Sequence, residues 1–364
     1  MYSSYGYINL LNRPHVCSAM KLLIDILHPA HLHRLKYFIR MLKDAGHEVV
    51  ITARNKEVVF RLLNTYGFSY VDTGKLGKGN KGRIEEYFRR MLIMFRVARK
   101  FKPDVLIGGD GVTIGPVGKL LRIPSVSVSD TEDAGLISKI SYPVTTHIVT
   151  PYCFERDFGE KQIRFHGFFE LAYLSDKYFV HDPSVLKEFG ITEGEAYFIL
   201  RFVSWDACHD VDEKGLSLDE KRQIFKELSQ HGKVFISSDG KVPAEFAPYA
   251  IDPVNMHSVL YYSSLYVGDS QTMSIEAGLL GVPSIRCNSL VGKMHARGQF
   301  LEFQRYGLVY SYSDFASAFA KMKEILAMKN AKQEWEKKRQ IIIKETIDFN
   351  TFFFDWIQQE KFKK

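Results

Sequence analysis

At 364 residues, with 46% hydrophobic and 25% charged residues, the chain has room for two globular domains, and this composition excludes a disordered or fibrous protein. No apolar run reaches the roughly 18–20 residues that span a bilayer, and the four cysteines (Cys17, Cys153, Cys208 and Cys287) form no Cys-x-x-Cys pair. That spacing argues against a disulfide framework or a zinc site and for a reducing compartment, so a cytoplasmic protein is expected. The net charge of +7 favours anionic partners such as nucleotide phosphates or acidic lipid; no nucleic-acid-binding module is recognisable.

Residues 1–19 lack the basic start and long apolar core of a signal peptide. A strand pattern begins directly after Met20, so 1–19 reads as an extension and Met20 as the native start. From there short apolar runs alternate with helical-period segments. "KLLIDIL" (21–27) reads as a buried strand. The next segment carries Leu32, Leu35, Phe38, Ile39 and Leu42 on one helical face and stops at Gly46. Strands at 48–53 and 68–73 enclose a helix at 56–66, and a long basic helix covers 83–101. Strands at 104–109, 124–130 and 147–151 complete this half. The rhythm loosens around 170–195 and restarts with strands at 196–203, 233–238, 265–270 and 283–288, separated by helices at 218–231, 255–264 and 272–280. The tail from Phe315 is mostly helical. The fold class expected is α/β: two doubly wound Rossmann-like domains, 20–175 and 176–340, then a C-terminal helix at 341–364. Ligands of such pairs bind at the carboxyl ends of strands, in the cleft between domains.

Three histidines, His28, His31 and His33, crowd the first strand-to-helix turn. No carboxylate or cysteine lies beside them in sequence, so no metal site is expected. His28 and His31 flank Pro29 and can point into the cleft, whereas His33, one position past Leu32, is expected to meet solvent. A neutral histidine suits proton removal from a hydroxyl; the alternative is that His28 caps the helix and His31 orders the turn. Further on, "LIGGDGVTIGPVGKL" (106–120) is a Gly-rich turn bearing Asp110, and "SDTEDAGLIS" (129–138) brings Asp130, Glu132 and Asp133 together, either at the cleft or on a solvated loop.

In the second half, "YVGDSQTMSIEAGLLGVPSI" (266–285) ends a strand in Gly268-Asp269-Ser270, passes through Gln271 and starts a helix near Thr272. Small and hydroxyl residues at a helix N-terminus suit a phosphate, and Glu276 lies about one turn further in. The plainer reading is a capped helix with Glu276 facing solvent. Arg201, near the end of the strand at 196–203, is a diphosphate-ligand candidate; His209, further along, is expected either in the cleft or on a surface loop. The loop and helix 74–102 mix Arg and Lys with Met, Leu, Ile and Phe. That mixture suits peripheral contact with anionic lipid at the inner face of a plasma membrane, or a covering helix with a solvated cationic face.

The spacing of Asp269-Ser270, Glu276-Ala277 and Gly281-Val282-Pro283 resembles the nucleotide-sugar signature of GT-B enzymes, especially the non-hydrolysing UDP-N-acetylglucosamine 2-epimerases. The resemblance implies that Ser270 and neighbouring amides hold the diphosphate and Glu276 the ribose hydroxyls. "AHLHRLKYFIRMLKDAGHEVVITAR" (30–54) is similar to the first strand-loop-helix of GT-B glycosyltransferases and sets His31 at their catalytic histidine. Asp110 and Asp133 match acidic positions of the 2-epimerases, whereas their Pro-Glu-Glu motif is absent around 140–146. As a whole, 21–312 most resembles an uncharacterised archaeal and bacterial family of GT-B-like proteins found among polysaccharide genes. The resemblance implies a glycosyltransferase of surface-polysaccharide assembly, with a UDP-linked sugar as donor, a glycan or polyprenyl-diphosphate-linked acceptor and no separate cofactor. A 2-epimerase and a non-catalytic nucleotide-sugar-binding protein are the alternatives.

Overall fold

The first strand, β1 (Lys21–Ile26), buries Leu22, Leu23, Ile24 and Ile26 completely, as a central strand covered on both faces must. In the computed structural model, the residues described are 19–364 except 57, 110, 133–135, 193, 204–214, 239–242, 247–253, 293–296, 359–361 and 363–364. After β1 come α1 (Pro29–Asp44), β2 (Glu48–Asn55), α2 (Val59–Thr65), β3 (Val71–Lys75), α3 (Gly79–Phe101), β4 (Val105–Gly108), α4 (Ile114–Leu121), β5 (Ser125–Val128), α5 (Leu136–Ser141), β6 (His147–Pro151) and β7 (Gln162–Phe165). These strands form one parallel seven-stranded sheet of order β3-β2-β1-β4-β5-β6-β7. The order reverses between β1 and β4, which opens a crevice at their carboxyl ends.

Short helices α6 (Leu171–Leu174) and α7 (Ser184–Glu188) lead to the second unit. Its elements are β8 (Tyr197–Phe202), α8 (Leu218–Leu228), β9 (Lys233–Ser238), α9 (Met256–Tyr262), β10 (Leu265–Gly268), α10 (Gln271–Leu279), β11 (Ser284–Cys287), α11 (Arg297–Arg305) and β12 (Val309–Tyr312). The five-stranded parallel sheet has the order β12-β11-β10-β8-β9. Two parallel sheets with crossover helices give the two Rossmann-like domains anticipated above. Strands β7 and β12 are additions to the sequence reading: Gln162–Phe165 and Val309–Tyr312 are edge strands with several half-buried or exposed side chains, so neither makes the continuous apolar run of a central strand.

The tail forms α12 (Phe315–Leu326), α13 (Ala331–Glu345) and α14 (Phe349–Ile357). Helix α13 stays with the second domain, where Trp335 donates through Nε1 to the Leu308 carbonyl at 2.8 Å. Helix α14 returns to the first: Phe353 packs on Phe38 of α1 with ring centroids 4.6 Å apart, and Asn350 donates to the Ala172 carbonyl at 2.8 Å. The polypeptide thus crosses between domains twice, before β8 and before α14.

Helix α3 is pinned from beneath. Glu86, Arg90, Met94 and Ala98 are buried at four-residue spacing, one continuous inward face. Arg90 Nη2 lies 2.9 Å from Asp25 Oδ2 on β1, and Asp25 also accepts from the hydroxyls of Thr52 and Thr113. Arg54 pairs with Glu86 at 3.2 Å and donates to the Leu27 carbonyl. These contacts tie the early turns of α3 to the carboxyl end of β1.

Candidate functional site

On the first domain the site begins at the β1–α1 turn. His28 is the N-cap of α1, its Nδ1 accepting from the Ala30 amide at 3.3 Å, and Pro29 opens the helix, where its missing N–H costs nothing. His31 follows one turn in. A methyl group on Gly109 would meet the His31 ring at 2.2–2.5 Å, so the absence of a side chain there is what lets the imidazole lie against the β4 end. Burial, and then the nearby Arg34 cation, hold the His31 pKa well below its usual value, which keeps the ring neutral at working pH. Arg34 donates to the Val128 carbonyl at 3.1 Å, pairs with Asp130 and stacks on Phe169 at 4.1 Å.

His33 is not at the surface, contrary to the sequence expectation. It is buried between Tyr66, Tyr173 and His257, with ring centroids 6.1, 5.4 and 4.9 Å away. A single-sheet periodicity sees only the face of α1 that packs on its own strands; a second face of this helix is covered by the other domain. Lys36, one turn on, is also buried, and desolvation pulls its pKa down to about 8.

This cluster meets Glu276. Its carboxylate, 5% exposed, accepts at Oε1 from the Tyr173 hydroxyl at 2.8 Å, with His257 Nε2 3.1 Å away. Glu276 therefore does not face solvent; it sits at the domain interface, joined to α6 and α9. A second bridge lies nearby. Glu132 accepts from the amides of Arg297 and Gly298 at the start of α11, at 2.9 and 3.1 Å, so a first-domain carboxylate caps a second-domain helix. Glu170 accepts from Gln299 at 2.9 Å, and burial together with the Asp130 charge pushes its pKa up to about 7.

On the second domain, Ser270 N-caps α10 by accepting from the Met273 amide at 3.4 Å. Gln271 is half-buried and Thr272 exposed at the same helix start. Asp269 is buried and structural: it accepts from the Val203 amide at 2.9 Å, tying the end of β8 to β10. Gly268 is in register with Arg201 on one side and Arg286 on the other, so two guanidinium groups flank the strand end that feeds α10. Arg201 donates to Ser237 Oγ at 2.6 Å, and a side chain on Gly268 would collide with it at 2.8 Å. Arg286 is 3% exposed, donates to Gln271 Oε1 at 3.3 Å and stacks on Phe300 at 3.4 Å. Among the described residues it pairs with no carboxylate, and burial pulls its pKa down to about 9. A buried cation so placed is costly unless an anion joins it. The sequence reading missed Arg286, His257 and Tyr173. Arg286 alone left a signal, a charge inside the apolar strand run "PSIRCN".

Asp110, Asp133 and His209 lie outside the described residues. No group of three or more potential ligands for a metal ion occurs among the described residues. Likewise, no helix there is long and apolar enough to cross a membrane.

A family profile described as "Protein of unknown function (DUF354)" matches residues 20–349. The chain belongs to the DUF354 family. An uncharacterised protein of Methanocaldococcus jannaschii is 26% identical over 281 residues, 72% of this DUF354 chain and 80% of the relative. Among solved structures, a Listeria monocytogenes protein provisionally described as a UDP-N-acetylglucosamine 2-epimerase superposes with a TM-score of 0.67 at 16% identity, covering 95% of this chain and 97% of that one. The glycosyltransferase SsfS6 of Streptomyces sp. SF2575, in complex with thymidine diphosphate, gives a TM-score of 0.58 at 14% identity over 92% and 99%. This DUF354 protein therefore has the GT-B fold, two Rossmann-like domains facing one cleft.

Proposed function

We propose that this DUF354 protein is a glycosyltransferase that moves a sugar from a nucleotide-diphosphate sugar, UDP-linked by the sequence resemblance, to a hydroxyl of a glycan or polyprenyl-diphosphate-linked acceptor in surface-polysaccharide synthesis. The observation that carries this reading is Arg286: a guanidinium 3% exposed, without a carboxylate among the described residues, beside the N-terminus of α10. Arg286, Arg201 and the amides after Ser270 form a cradle for a diphosphate. Glu276 serves the ribose hydroxyls, oriented by Tyr173 and His257.

The acceptor hydroxyl oxygen attacks the anomeric carbon as the bond from that carbon to the diphosphate oxygen breaks. Neutral His31 takes the hydroxyl proton, while the two arginines and the helix dipole stabilise the leaving diphosphate. Asp110 and Asp133 are retained as alternative acidic groups at the acceptor side. No metal is assigned a role.

The 2-epimerase reading keeps one point in its favour, the Asp269-Ser270 to Glu276-Ala277 spacing. Against it, the epimerases' Pro-Glu-Glu motif is missing where this chain has Tyr142-Pro143, whose carbonyls accept from Lys161. Following UDP-sugars by NMR separates the readings. Without acceptor, slow release of UDP and no epimer are expected; accumulation of an epimer selects the alternative, and binding without turnover selects the non-catalytic protein. In the same assay His31→Ala is expected to lower turnover about a hundredfold while nucleotide affinity stays within twofold, about the contribution of one general base.

A further inference from the structure

We infer that the outer face of α3 is a docking surface for an anionic lipid bilayer. Ile84, Phe88 and Leu92 are 58%, 65% and 48% exposed. Each stands two positions from a buried residue of the inward face (Glu86, Arg90, Met94), and two positions are about 200° of helix, so the three side chains form an outward stripe opposite the pinned face. The same helical row is completed by Lys81 before the stripe and by Arg96 and Arg99 after it, all exposed. Between residues 75 and 100, seven Lys and Arg side chains are exposed against one acid, Glu85. Toward the helix end, Leu92, Phe95, Arg96, Arg99 and Lys100 line a shallow depression of about 400 Å³, an apolar floor with a cationic rim. Neighbouring α4 adds Leu120, 70% exposed, between exposed Lys119 and Arg122.

Charge decides the occupant. Two copies of this chain could not share the face without setting Lys81, Arg96 and Arg99 of one against the same cations of the other. A polyanion such as nucleic acid would satisfy the arginines but offers the aliphatic and aromatic stripe nothing to enter. An anionic bilayer satisfies both: phosphates meet the cations and acyl chains receive Ile84, Phe88 and Leu92. The stripe starts at the end of the domain where the strands present their carboxyl ends, because α3 follows β3 there and its first turns are held to β1 through Arg54 and Glu86. A lipid-borne molecule at this surface would be near the cleft. The inference does not depend on the reaction proposed above.

Co-sedimentation of the intact chain with vesicles tests it, using phosphatidylcholine mixed with phosphatidylglycerol against phosphatidylcholine alone. Binding is expected to the mixed vesicles, to fall as salt screens the surface, and to be at least about tenfold weaker on the neutral ones. The triple variant Ile84→Ser, Phe88→Ser, Leu92→Ser and the pair Arg96→Glu, Arg99→Glu should each weaken it about tenfold or more, with unfolding temperature and nucleotide binding unchanged. No co-sedimentation, equal binding to neutral vesicles, or full binding by both variants would overturn the assignment. A concentration-dependent dimer in sedimentation velocity that the triple variant abolishes would overturn it too, in favour of a second copy.

Discussion

Arg286→Met should weaken binding of a nucleoside diphosphate by ten- to a hundredfold while raising the thermal unfolding midpoint by a few degrees. The loss follows from removing a charged donor, worth about 1.5–3 kcal/mol, from the diphosphate cradle. The gain follows from replacing a buried guanidinium that has no carboxylate among the described residues with an apolar side chain of similar length. A rise of about 1 kcal/mol corresponds to roughly 2–4 °C for a domain of this size. Calorimetric titration and thermal unfolding read the two effects separately. If Arg286→Met lowered the midpoint and left diphosphate binding intact, Arg286 would be a packing residue and the donor site would lie elsewhere.

Asp25→Ala should act in the opposite sense, on stability alone. Asp25 is buried in β1 and takes an ion pair from Arg90 and hydroxyl bonds from Thr52 and Thr113. Removing it takes the near counterion from a buried guanidinium and leaves Arg90 only Glu86, 4.0 Å away, a loss of about 3 kcal/mol, or on the order of 10 °C in the unfolding midpoint. The double variant Asp25→Ala with Arg90→Met should recover part of that loss, because the cation that has lost its 2.9 Å partner goes with it. Thermal unfolding of the three proteins tests this. A single-variant loss below about 1 kcal/mol would mean that α3 is not held by this network.

Most of the fold was legible because central parallel strands leave a strong signal. "KLLIDIL" and "YVGDS" are apolar runs that stop at turn residues, and they became β1 and β10. Edge strands β7 and β12 were not legible, since their half-buried residues look like loop. The helix start at Ser270 was readable from its capping chemistry, and the structure holds that cap. What sequence could not supply was the second domain's effect on the first. His33 reads as a solvent position by the periodicity of α1, yet it packs on Tyr173 and His257, residues 140 and 224 positions away. Glu276 likewise faces an interface that no local pattern encodes. Arg286 and Asp25 carried a usable signal: a charge within an apolar strand run needs a partner or a ligand. Asp25 has its partner in Arg90. Arg286 is left with the anion that the proposal supplies.

The most direct measurement is calorimetric titration of the intact chain with UDP and with uridine. UDP is expected to bind at least tenfold more tightly than uridine, the worth of about one charge-assisted bond to phosphate, and Arg286→Met to remove this advantage while leaving uridine unaffected. Equal affinities for UDP and uridine, or no heat from any nucleoside diphosphate, would contradict it.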